Sequence, residues 1–184
     1  MDELSKSNGN MLAEPVTQQD HAVGPMTAPV TVVEYGDYEC PSCLNAVPII
    51  GQVRESLGDR LRFVFRHFPV SSIHPHASAA AEAAEAAADQ GKFWEMHEAL
   101  FRHQKELAAL DLSHLALTLG LEIYKFESSR SREKHQTRIR ADFEGGLRSG
   151  VNKTPTLFIN GRRYDGSVNA KAIIAASQAA LDQR

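Results

Sequence analysis

The run Val30-Thr-Val-Val-Glu-Tyr-Gly-Asp-Tyr-Glu-Cys40-Pro-Ser-Cys43 narrows the possible folds more than any other stretch. Val30 to Tyr35 is rich in β-branched residues and almost wholly apolar, the pattern of a central strand covered on both faces. A short turn follows, and then two cysteines separated by two residues where a helix should begin. Pro41 suits a first helical turn, because its fixed φ is already helical and its missing N–H is not needed there. Cys40 then stands at the helix N-terminus, where unpaired N–H groups and the positive dipole end favour a thiolate. Helix geometry brings thiols three positions apart together, so the pair reads as a redox couple. Cys40 is the expected nucleophile and Cys43 the expected resolving thiol.

These are the only cysteines among 184 residues. A disulfide between them closes a tiny loop and constrains little of the unfolded chain, so chemistry is the better reason for the pair. A chain of this length supports one well-cored domain with room for a small inserted subdomain. The formal net charge of −3 gives no electrostatic case for nucleic acid or an anionic membrane as partner. No segment approaches the roughly 20 continuous apolar residues of a spanning helix. Met1-Asp-Glu-Leu-Ser-Lys lacks the basic start and apolar core of a secretory signal. The sequence as it stands is therefore expected in the cytoplasm, or in the periplasm if a signal has been removed.

Residues 1–20 are polar and aperiodic, and a flexible or loosely docked tail is expected. His21 to Gly24 suits a short strand. After Cys43, apolar residues recur at helical spacing to Leu57, with Gly58 as the stop and Pro48 expected to kink the helix. Leu61 to His67 is a second apolar strand, expected parallel to the first as in a βαβ unit. Phe68 to His76 reads as a loop. Ala77 to about Asp89 is close to the best intrinsic helix former available. Phe93 to about Lys105 continues as an amphipathic helix, Ser113 is an expected N-cap, and one long helix is expected from about Ser128 to Leu147. Thr154 to Ile159 returns to a β pattern. Asn160-Gly161 signals a type I′ hairpin into Arg162-Arg-Tyr164, and Asn169 to about Leu181 closes the chain as a helix.

Strand, helix, strand, helical insert, hairpin, helix is an α/β layout of thioredoxin type, with a central mixed sheet and an inserted α-helical subdomain. The expected divisions are a tail at 1–20, a first half at 21–74, the insert at 75–149 and a second half at 150–184. The Cys-Pro-Ser-Cys stretch, the helical insertion and Gly150-Val-Asn-Lys-Thr-Pro-Thr-Leu-Phe-Ile-Asn-Gly161 together resemble the DsbA-like branch of the thioredoxin superfamily. Arg66-His-Phe-Pro, His74-Pro-His76 and Gln90-Gly-Lys-Phe-Trp-Glu-Met-His97 further resemble DsbA-like domains found alone or joined to sodium/proton antiporters.

The resemblance implies a thiol–disulfide oxidoreductase acting on protein or peptide thiols and disulfides; no cofactor or metal is expected, and a monomer is expected because no dimerisation element is evident. Its redox partner would be the thioredoxin system, glutathione or a membrane oxidase. It implies a cis Thr154–Pro155 bond facing the cysteines. It also implies that substrate lies against Pro41, Ser42, Thr154 and Pro155, pairing with the Thr154 backbone as an added strand. Glu34 falls where the family carries a carboxylate beneath the cysteines. Burial should raise its pKa and let it exchange protons with Cys43. The best-known oxidases have histidine where this chain has Ser42. Serine supplies no positive charge, so a less depressed Cys40 pKa and a less oxidising couple are expected.

Competing readings are weaker. A zinc site needs about four ligands, and there is no second Cys-x-x-Cys. His67 reads as loop scaffolding, and His76 as flanking the alanine helix. Asp37 and Glu39 read as solvated turn residues. Phe93, Trp94 and Phe101 suit the insert's core, and Arg130 to Arg140 suits a solvated helix face. The alternatives in function are a thioredoxin-like binding module with incidental redox chemistry, or a glutathione-linked kappa-type transferase.

Overall fold

The computed structural model describes residues 10–130 and 132–182. Five strands form one sheet in the order β1-β3-β2-β4-β5: β1 His21–Val23, β2 Val30–Gly36, β3 Leu61–His67, β4 Thr156–Ile159 and β5 Arg162–Tyr164. β2 and β3 run parallel, pairing Val30 with Leu61 and Gly36 with His67. The remaining neighbours are antiparallel, so the sheet is mixed as expected. Alternation along β2 divides the core. Val30 and Val32 pack on one face, while Val33 and Tyr35 pack on the other with Val64, Phe68, Val151 and Phe158.

α1, Pro41–Leu57, covers the first face through Ile50, Val53 and Leu57, with α7, Ala170–Leu181, beside it. α1 includes Pro48 and ends at Gly58, whose positive φ of 52° suits a residue without Cβ. Five helices lie between β3 and β4 in the chain. They are α2 Ala77–Ala88, α3 Phe93–Arg102, α4 Leu112–Thr118, α5 Ile123–Arg130 and α6 Glu133–Arg148. The alanines of α2 are almost all buried, so small side chains here permit close helix packing. On the opposite face Gly146 of α6 lies so near Phe68 that an added Cβ would come within 2.7 Å of its ring. No helix among the described residues is long and apolar enough to cross a membrane.

The structure departs from the sequence expectations at several places. Residues 10–20 dock on the sheet: Leu12 N–H donates to Gly161, Arg163 N–H donates to Asn10, and Ala13 N–H donates to Ser149 Oγ. Arg66 reaches the Glu14 and Pro15 carbonyls and is ion-paired with Asp20. Residues 1–9 of the expected tail lie outside the described residues. The long helix expected at about 128–147 is two helices, and Ser131 between them is also outside the description. Ser129 Oγ, at the end of α5, is 2.8 Å from His135 Nε2 in α6 and bonds Asp89 of the α2 C-cap. α4 is capped by Asp111, which accepts from the N–H groups of Ser113 and His114, so Ser113 is not the cap. α3 stops at Arg102, before a separate 3-10 turn at Gln104–Glu106.

Candidate active site

Cys40 is the N-cap of α1, with extended backbone (φ −79°, ψ 119°) and Pro41 in the first helical turn. Its carbonyl accepts the first helical bonds, from Cys43 N–H at 3.0 Å and Leu44 N–H at 3.2 Å. Both cysteines are free thiols, Cys43 fully buried and Cys40 nearly so. The Thr154–Pro155 bond is cis. It brings the Thr154 carbonyl within 3.4 Å of Cys40 Sγ although the two residues are 114 positions apart. Ser42, Thr154 and Pro155 line a groove of about 300 Å³ with Asn45, Ala46, Ile49, Lys153 and Val168. Pro41 is exposed on the helix start beside it.

The two thiols differ sharply in acidity. Cys40 is pulled down to about 5, chiefly by a hydrogen bond with the Cys43 thiol; partial burial opposes this. The Thr154 side chain and the backbone N–H groups of Cys43 and Ser42 act in the same downward direction. Cys43 is pushed far above the ordinary thiol range by the same shared bond, by burial and by the charge of Glu34. At neutral pH the pair is therefore one thiolate at the helix mouth backed by one protonated thiol.

Glu34 sits in β2 between Phe65 and Leu157 on the neighbouring strands, and only 4% of it is exposed. Burial raises its carboxyl to about 8, with the Cys40 charge as a smaller cause. It lines a groove of about 320 Å³ between α1 and α3 with Val47, Pro48, Trp94 and His97. Pro41, Ser42, Cys40, Cys43, Thr154, Pro155 and Glu34 thus converge on one end of α1.

The surroundings of the site are less legible from sequence. Asp37 is buried, not solvated: it accepts from the N–H groups of Glu39 and Val70 and holds His74 Nδ1 at 2.8 Å. Glu39 is half-buried and bonds both the backbone and the ring of His76. These two acids fasten the 70–76 loop to the cysteine turn. Their partners are nearly 40 residues away, and nothing in their own neighbourhood signals it. Tyr38 OH lies 3.1 Å from His97 Nδ1. Burial lowers His97 to about 3 and lifts Tyr38 well above its usual range, so neutral His97 accepts and Tyr38 donates. Gln104 Nε2 donates to the carbonyls of Tyr38 and Cys40, both at 2.9 Å.

One further cluster has metal-ligand chemistry. His21, His67 and Glu85 bring one ligand atom each within 4.8 Å. His67 ends β3 and is buried, so it is not loop scaffolding. Glu85 Oε1 already accepts from His21 Nε2 at 2.6 Å, His67 Nε2 at 2.8 Å and Arg138 Nε at 3.0 Å. Burial opposes ionisation of Glu85, but the hydrogen bonds from His21 and His67 hold it well below the usual carboxylate range. The Arg138 guanidinium already balances its charge, so the cluster is complete as a hydrogen-bonded node. Arg138 and the buried Ile139 also show that the 130–140 run is not simply a solvated face. His76 takes the N-cap position of α2, flanking the alanine helix.

Comparison with known proteins agrees with this fold. A family model described as Thioredoxin matches residues 16–179. A Na(+)/H(+) antiporter of Salinispora arenicola, NhaA 1, is 49% identical over 165 residues, covering 89% of this chain and 25% of that protein. The chain thus spans about a quarter of the length of the curated relatives it matches. Among solved structures, oxidised BdbD from Bacillus subtilis superposes with a TM-score of 0.79 at 23% identity, covering 95% of this chain and all of that one. Wolbachia pipientis alpha-DsbA1 superposes at 0.76 with 18% identity, covering 91% of this chain and 94% of that one. At such identities these two similarities carry the fold.

Proposed function

This chain belongs to the thioredoxin family, and on that premise we propose that it is a thiol–disulfide oxidoreductase acting on protein or peptide substrates through Cys40 and Cys43. The observation that carries the reading is the pair of free thiols at one helix N-terminus, Cys40 as the N-cap of α1 with Sγ 3.4 Å from the Thr154 carbonyl and Cys43 buried behind it in the first turn.

The thiolate is the nucleophile in disulfide exchange. Cys40 Sγ attacks one sulfur of a substrate disulfide, forming a mixed disulfide and releasing the other sulfur as a thiolate that takes a proton from solvent. The Glu34 carboxylate, the minor form near neutral pH, then takes the Cys43 proton as Cys43 attacks Cys40 Sγ. The Cys40–Cys43 bond forms, the mixed disulfide breaks, and the second substrate sulfur leaves as a thiolate. The substrate is reduced by two electrons and the protein is oxidised by two. Oxidation of substrate runs the same steps backwards. An extended substrate segment in the 300 Å³ groove would lie along Thr154 and over Pro41 and Ser42. Main-chain pairing of that kind gives affinity with little sequence preference.

A resolving-thiol variant tests the reading. Cys43→Ala keeps the nucleophile and removes the escape route, so incubation with oxidised insulin should accumulate a covalent adduct. The adduct should disappear with dithiothreitol and should not form with Cys40→Ser/Cys43→Ala. No adduct from the Cys43→Ala protein would end the assignment.

A further inference from the structure

The proposed chemistry uses the cysteine turn and the proline loop, yet a helical-insert side chain holds the nucleophile's backbone. Gln104, in the turn after α3, is only 8% exposed. Its amide group carries two hydrogens, and both are used, one on the Tyr38 carbonyl and one on the Cys40 carbonyl. The orientation is fixed by chemistry, since the flipped amide would set its oxygen against two carbonyl oxygens. Cys40 O thereby accepts three N–H groups: Cys43, Leu44 and Gln104. No other donor to the Tyr38 carbonyl occurs among the described residues. Tyr38 is also held from α3 through its hydroxyl and His97. The residues on either side of Glu39 are thus held from the insert.

We propose that Gln104 is a positioning residue for Cys40: by clamping both carbonyls it fixes the N-cap backbone so that Sγ stays at the mouth of α1, against the Thr154 carbonyl. The inference rests on the thiol–disulfide reading for its purpose, not for its geometry. Hydrogen bonds weaken steeply with distance and angle, so a small rotation at Cys40 costs thiolate stabilisation. Stabilising the thiolate favours the reduced protein, so loosening the clamp makes the couple less oxidising. The groups facing Cys40 with charge or titratable protons are Glu34 and Cys43, with Asp37, Glu39, His74 and His76 packed around the same turn. A neutral-for-neutral change at Gln104 leaves all of them in place, so a shift at Cys40 would report geometry.

The test uses Gln104→Met, of similar length without donors, and Gln104→Asn, which is too short to reach both carbonyls. Thiolate absorbance against pH should give a Cys40 pKa higher by about one unit in either variant, equivalent to about tenfold less thiolate at a pH below both values. Alkylation by iodoacetamide at pH 5 should slow several-fold, and Lys105→Ala, next along the same turn, should match the unchanged protein. The melting temperature of the reduced form should fall further than that of the oxidised form. An unchanged Cys40 titration with equal loss of melting temperature in both redox forms would overturn the proposal, as would an equal shift in Lys105→Ala. If Gln104→Met fails to fold, Gln104→Asn decides alone. A depressed Cys40 pKa without exchange on any protein disulfide would overturn the proposed function and leave the role of Gln104 standing.

Discussion

Cys40→Ser is expected to lower disulfide exchange by at least about 10³-fold, the scale on which removing a nucleophile acts when no neighbour replaces it. A serine hydroxyl is not ionised near neutral pH and cannot form the mixed disulfide. Cys43 cannot substitute, because it is fully buried and its thiol is held protonated. The variant should fold normally, since Cys40 contributes its backbone to the α1 cap and makes no side-chain cap bond. Insulin reduction in the presence of dithiothreitol measures the loss. Activity within tenfold of the unchanged protein would mean that another group does the chemistry.

Glu34→Gln should have the largest effect on stability, and that effect should depend on pH. The carboxyl titrates near 8 in the folded protein against an ordinary value of 4.5. Between those values the folded chain keeps a proton that the unfolded chain has lost, so stability falls as pH rises across the interval. Below about 4.5 both states are protonated and Glu34 is neutral in cost. Glutamine cannot ionise, so the variant should gain on the order of 4 kcal/mol at pH 8 and nothing at pH 4. Resolution by Cys43 should become slower, because its proton acceptor is gone. Urea unfolding at pH 4, 6 and 8 checks the claim; parallel stability curves for the two proteins would contradict it.

Much of this architecture was legible because the decisive signals are local. The apolar run at Val30–Tyr35, the Pro41 start, the Gly58 stop and the Asn160-Gly161 turn each act within a few residues. The turn shows positive φ at both positions, 48° and 81°, as a type I′ hairpin requires. What escaped is set by distant partners. Asp37 looks like a turn acid until His74 and Val70 fold over it. Nothing in the sequence from Arg130 to Lys134 signals a helix break, since Arg, Ser, Glu and Lys are acceptable helical residues, whereas Ser129 is tied to His135 and Asp89 by contacts across the fold. Asp111 and Ser113 are both cap-forming residues two apart, and only the coordinates choose Asp111. Gln104 carried no signal at all, because a glutamine on an amphipathic segment is usually solvated.

The two cysteines were legible as a couple, and Ser42 in place of histidine set an expectation about its strength. A nucleophile pKa near 5 lies between the values of about 7 for thioredoxin and about 3.5 for DsbA. The most direct test is equilibration of the protein in glutathione buffers with quantification of its free thiols. A single two-electron transition is predicted, lost on replacing either cysteine, with a potential between about −270 mV and about −120 mV. Two thiols that stay free in every buffer would contradict the account.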